Sequence, residues 1–266
     1  MDKIFKQAYQ DCPIDPEIPL SDEVKEIDAK IKETPDNAEL WMERGLALAK
    51  IRLMRESVEA FSNAIALEPF CGIYYRHRAH RFLSCWDISL ARTDFVMGAR
   101  LAPDNWDIWY HLGLTHFLLG EYEKAEEAYR RCLELTVLDL KRVAIVDWYW
   151  MTLMRLNKRE EAKKLLDEQI HENMDVGYNI AYYKRLLMYK GLLTPEELLP
   201  ENEELSDIEI VTRGFGLSNY YFLEGNMDKS NKIIDKVLNI KDKKCHTAFG
   251  YVASLIDKIN REKQEN

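Results

Sequence analysis

The sequence predicts an all-α fold built from stacked helix pairs, and three observations predict it. Prolines recur at Pro35, Pro69 and Pro103, 34 residues apart each time. From Pro103 to Leu135 two amphipathic helical patterns meet at a tight turn, Gly120-Glu121-Tyr122. Glycine (11) and proline (8) are sparse for 266 residues, which suits long helices joined by short turns and argues against an all-β chain.

The repeat holds at several independent positions. Pro35-Asp36-Asn37 returns as Pro103-Asp104-Asn105. Trp41, Tyr75 and Trp109 share one phase, as do Gly45, Ala79 and Gly113, and then Phe61, Phe95 and Tyr129. Small side chains are wanted where the two helices of a unit cross; large aromatics fill the space between units. A single unit cannot bury its apolar face, whereas several stacked together can. These residues resemble the tetratricopeptide repeat, a helix-turn-helix unit of about 34 residues. The resemblance implies a right-handed α-solenoid with a degenerate C-terminal half and a capping helix. Arg44 and Arg78 depart from the pattern where it prefers leucine: either those units pack less regularly, or the arginines reach a neighbouring carboxylate. Ser57 replaces an alanine, and Trp86 the usual turn glycine.

The elements follow in order. Residues 1–20 carry three prolines near their end and read as an extended lead-in. Ser21 caps a helix with Val24, Ile27 and Ile31 on one face, stopping at Thr34 before Pro35. Three clear repeats run to Leu135. A fourth, about 141–172, has a short insertion in its connecting loop, so that residues 21–172 hold the first helix and about four units. Residues 173–266 form the degenerate part. Tyr178 to Lys190 reads as a helix closed by Gly191, and Thr194-Pro195-Glu196 as a helix start. From Glu196 to Glu209 the chain is acidic, a short helix and a solvated loop. Arg213 to Ile240 recovers the repeat with its turn at Gly225-Asn226. The last helix is expected over roughly 245–259, with Arg261 to Asn266 frayed.

Apolar residues make up 47% of the chain, enough for a continuous core, and the formal net charge is −9. Phosphate contacts need a basic surface, so this balance argues against nucleic acid and against electrostatic attachment to a membrane. No run of eighteen apolar residues occurs. Met1 to Gln10 does not read as a signal peptide, and the five cysteines are scattered. A cytoplasmic protein with reduced thiols is expected.

The family resemblance implies a concave face lined by the first helix of each unit. By phase, the partner-binding positions are Met42, Leu46, Arg76, His80, Tyr110, Leu114, Asp147 and Met151. The family's terminal-carboxylate clamp needs polar donors where Met42 and Leu46 stand, so a mixed groove is expected, suited to an extended peptide or an amphipathic helix. The run Arg76 to Arg81 has two readings: an anion site with Arg76 and His80 on one face, or arginines paired with nearby acids. Cys71, His77, His80 and Cys85 lack the spacing of a structural zinc site. Carboxylate pairs such as Glu126–Glu127 have no closed pocket around them. Trp148 and Trp150 beside Asp147 line a pocket or belong to the core. No phosphate loop or nucleophile elbow is present.

The expectation is therefore a non-catalytic module, without cofactor or metal, that binds a protein or peptide partner. One alternative is a small-molecule-binding or enzymatic helical domain centred on Arg76, His80, Tyr110 and Asp147. The other is a structural protein that self-assembles into a homo-oligomer.

Overall fold

The computed structural model describes residues 18–200 and 203–264. Every regular element among them is helical. The expected lead-in lies outside the described residues except for 18–20, which carry no regular structure. The chain forms two compact units, one ending at Thr115 and the other beginning at His116.

The first unit opens with α1 (Asp22–Glu33), capped by the Ser21 side chain and closed at Thr34. Val24, Ile27 and Ile31 are buried against Ala47, Leu48, Leu53 and Ala60. Two helical hairpins follow. They are α2 (Ala38–Lys50) with α3 (Met54–Leu67), and α4 (Gly72–Ser84) with α5 (Ile88–Leu101); α6 is Trp106–Leu118.

Asn37 caps α2 through its side-chain oxygen, which accepts from the Glu39 and Leu40 amides at 3.0 and 3.3 Å. Asn105 does the same for Asp107 and Ile108. The recurring prolines have a second use. Trp41 Nε1 donates to the Pro35 carbonyl at 2.9 Å, Tyr75 Oη to Pro69 at 3.0 Å, and Trp109 Nε1 to Pro103 at 2.8 Å. These aromatics are therefore half-buried buttresses rather than the fillers the sequence suggested. The fillers are Phe61, Phe95 and Tyr129, all but sealed from solvent. Gly45 meets the ring of Phe61 so closely that a Cβ there would lie 2.6 Å from it. Ser57, in place of alanine, donates from Oγ to the Gly45 carbonyl at 2.6 Å.

The second unit continues with α7 (Tyr122–Glu134), α8 (Asp139–Arg155) and α9 (Arg159–Gln169). Then come a short 3-10 turn, α10 (Ile180–Tyr189), and α11 (Pro195–Leu198), a single turn opened by a Thr194–Glu197 capping box. The last elements are α12 (Asp207–Leu223), α13 (Met227–Leu238) and α14 (Phe249–Gln264). Two expectations are corrected here. The acidic stretch does not stay a loop to Glu209, because Ser206 and Glu209 form a capping box that starts α12 at Asp207. Nor does the chain fray from Arg261: that side chain is 8% exposed and donates to Asn231 Oδ1 at 2.6 Å, holding the helix to Gln264.

One backbone feature runs through every helical hairpin. The second residue after the first helix has a left-handed φ at Arg52 (67°), Trp86 (64°), Gly120 (74°), Asn157 (59°), Gly191 (74°) and Gly225 (76°). The steps between them are 34, 34, 37, 34 and 34 residues. The period that fades from the side chains beyond Leu138 therefore persists in the backbone. The 37-residue step places the insertion before the fourth hairpin. The fifth, α10 with α11, keeps the turn although its second helix has shrunk to one turn.

Candidate functional site

In the first unit, ion pairs join neighbouring helices. Arg44 Nε meets Asp28 Oδ1 at 2.6 Å, joining α2 to α1, the helix that precedes the first hairpin. Arg76 Nε meets Asp107 Oδ2 at 2.5 Å, joining α4 to α6. Arg78 instead turns to the second helix of its own hairpin, with two bonds to Asp94 at 2.7 and 2.9 Å. Both departures from leucine thus reach carboxylates.

On this face Leu46 is 36% exposed and Met42 is half-buried. Arg76 and His80 are half-buried beside Asp107, His77 and His111. The His80 and His111 rings meet edge-on with centroids 4.8 Å apart, and Tyr110 lies edge-on to His111 at 5.0 Å. Burial lowers His77 to about 4, helped by Arg76 and Arg81. Burial likewise drives His80 well below its usual value, with His111 and the two arginines adding to it. Burial works to raise the Asp107 carboxyl, but His111 and Arg76 outweigh it and hold the group below the usual carboxylate range. At neutral pH the face therefore carries uncharged His77 and His80, an ionised aspartate and guanidinium groups.

Three expected lining residues do not reach a surface. Leu114 is fully buried in the first unit, where Tyr110 keeps only 8% exposure. In the second unit Asp147 and Met151 are fully buried. Asp147 Oδ2 faces Arg185 Nη2 at 2.8 Å, and neither side chain reaches water. The same Nη2 donates to Met151 Sδ at 3.1 Å, and Nη1 to the Thr212 carbonyl. Arg185 also lies over the rings of Trp148, Tyr182 and Phe215. Burial raises the Asp147 carboxyl and Arg185 opposes it. This corrects the reading of Asp147 and Met151 as groove residues: they belong to a buried polar network. Arg185 was not singled out in the sequence. The signal was present for Asp147, a lone charge inside the apolar run VAIVDWYWM that needs a buried partner; in IAYYKRLLM the adjacent Lys184 and Arg185 leave open which of the two turns inward.

Trp150 and Tyr189 stack at 3.8 Å, 9° from parallel. They floor a cleft of about 370 Å³ in the second unit, with Tyr220, Arg159, Lys163 and Lys190 around it. Its cations are engaged internally: Lys163 with Asp167 at 2.6 Å, Arg159 with Glu224 at 3.7 Å, and Lys190 with the Leu166 and Ile170 carbonyls. Among the described residues no group of three or more His, Cys, Asp or Glu is placed to hold a metal ion. No described helix is long and apolar enough to cross a membrane.

Helical hairpins that repeat along the chain with a common turn define an α-helical repeat protein. Residues 106–135 match the tetratricopeptide repeat family, and the chain carries that repeat. A co-chaperone of the heat-shock protein cognate, sgt12 from Aspergillus fumigatus, is 26% identical over 101 residues, 38% of this chain. The match spans 29% of that relative's length. Among solved structures, MamA from Desulfovibrio magneticus RS-1 is 17% identical and covers 62% of this chain and 91% of its own, with a TM-score of 0.51. YrrB, described as a TPR protein with an unusual peptide-binding site, is 14% identical, covers 88% of this chain and 97% of its own, and has a TM-score of 0.50. At such identities these likenesses establish the fold.

Proposed function

We propose that the protein is a scaffold or adaptor that holds a peptide or helix of a partner protein along the first-helix face of its N-terminal repeats. The observation that carries this is the pairing of two first helices, α4 and α6, through Arg76 and Asp107, together with exposed Leu46 and half-buried Met42 on the first helix α2. An apolar strip bordered by fixed charges suits a segment with alternating apolar and polar side chains. The lining is accordingly Met42, Leu46, Arg76 and His80. The peptide-binding site described for YrrB supports the same class of partner.

The test is selection of peptides from a displayed library on the full chain, followed by calorimetric titration of the selected sequences. A Met42→Ser/Leu46→Ser variant should bind them about tenfold more weakly or worse while keeping its helical circular dichroism, since truncating an interface anchor costs on the order of 1–2 kcal/mol. Equal affinity for both proteins would move the site away from this face.

A further inference from the structure

The ring pair that floors the cleft of the second unit is fixed on two sides. Trp150 and Tyr189 stack with centroids 3.8 Å apart. The Tyr189 hydroxyl accepts from Nε of the buried Arg185 at 3.3 Å, so the ring is pinned at its far end as well. Tyr220 continues the column. Its ring lies 23° from that of Tyr189, with centroids 6.5 Å apart. Aromatic pairs make contact over roughly 4.5–7 Å between centroids, so this second step is at the open end of the range. The column therefore ends in two half-buried tyrosines that border a cleft of about 370 Å³.

The rim of the cleft disfavours a charged occupant. Lys163 is neutralised by Asp167 at 2.6 Å and Arg159 by Glu224 at 3.7 Å, and an added anion would face both of those carboxylates. Lys190 is placed differently. An ammonium group has three protons to donate. Two go to the Leu166 and Ile170 carbonyls, at 3.3 and 2.9 Å. Asp167 Oδ1 is 3.9 Å from the same nitrogen, beyond hydrogen-bond reach. One N–H of Lys190 is thus left for a neutral acceptor in the cleft.

We propose that this cleft binds a small, uncharged heteroaromatic molecule of one or two rings, which stacks at the Tyr189–Tyr220 end of the column and accepts a hydrogen bond from Lys190. Its volume is that of a small ligand pocket, a class that starts at about 300 Å³. A floor already fixed by Trp150 and Arg185 loses little freedom when a ligand arrives. The site lies wholly in the second unit and goes beyond the peptide-binding reading, so either can fail without the other.

The test is calorimetric titration of the full chain with three probes. Adenine is flat and carries ring-nitrogen acceptors, indole is flat without an acceptor, and cyclohexanone is an acceptor that is not flat. Adenine should bind saturably, indole about tenfold more weakly for want of the Lys190 bond, and cyclohexanone not at all. Tyr220→Ala should weaken adenine about tenfold or more, the loss of one stacking partner, while keeping its helical circular dichroism. Tyr220→Phe keeps the ring and should bind as the wild type does. Lys190→Met should bring adenine down to the affinity of indole and leave indole unchanged. Met42→Ser/Leu46→Ser should not affect adenine, which separates this site from the peptide face. The proposal is overturned if no probe saturates, if cyclohexanone competes with adenine, or if Tyr220→Ala and Lys190→Met both bind adenine as the wild type does.

Discussion

Asp147 and Arg185 sit on helices whose other side chains are mostly apolar, and neither side chain reaches water. Removing one partner strands the other. Asp147→Asn should therefore cost about 3–5 kcal/mol in urea unfolding, because the stranded guanidinium keeps its charge, whereas Arg185→Met should cost less, because burial already favours the uncharged carboxyl of Asp147. His77 makes a prediction about acid. Its ring stacks on Phe61 with centroids 5.4 Å apart, and it is held neutral down to about 4. The unfolded chain takes up that proton near 6.5, so stability present above 6.5 is lost as the pH falls toward 4. A His77→Phe variant should lose less melting temperature than the wild type between those values, a difference of about 2 kcal/mol at the acid end. At this scale the sequence was only partly legible. Arg44 and Arg78 announced their carboxylates by replacing leucine in an apolar phase. Asp147 did not, because periodicity assigns a helix face but not how deeply that face is covered.

Among the elements, close approach and turn geometry carry the energetics. Gly45→Ala would drive a methyl against the Phe61 ring and should destabilise by about 1–3 kcal/mol, read as a shift of the urea midpoint without a change of slope. Ser218 and Ser230 meet in the last full hairpin with the same twelve-residue spacing as Gly45 and Ser57. They exchange hydroxyl bonds with each other at 3.0 Å and with the facing carbonyls. Serine thus serves where glycine or alanine stands elsewhere, which explains why a search for small apolar residues passes this contact by. Arg52→Gly should raise stability by about 1 kcal/mol, since an L-residue pays that much for a left-handed φ. The helices up to Leu135 were readable because Pro, Asn and aromatic residues each serve one repeated bond. Helix α11 was readable from its capping residues alone. The start of α12 was masked by the acidic run, in which Ser206 and Glu209 look like loop composition until they are seen to cap.

At the scale of the chain, the match to a known repeat covers residues 106–135, while six hairpins among the described residues share the left-handed turn. The difference has a physical origin. Side-chain patterns are free to drift as long as each hairpin buries its apolar faces against its neighbours. The turn is less free, because so short a link brings the second helix back along the first in only a few backbone conformations. That is why the fourth to sixth hairpins were hard to phase in the sequence and evident in the dihedral angles. The charge balance of −9 was legible from composition, but the pairing of Arg76 with Asp107 was not, because it depends on which acids the fold brings within reach.

The shared turn also bears on how such a chain lengthens or shortens. A segment duplicated or excised between equivalent turns is rejoined with like dihedral meeting like, so the new junction carries no strain of its own. The gain of three residues between Gly120 and Asn157 shows the complementary case: an insertion absorbed in the connection, with the turns on either side keeping their conformation.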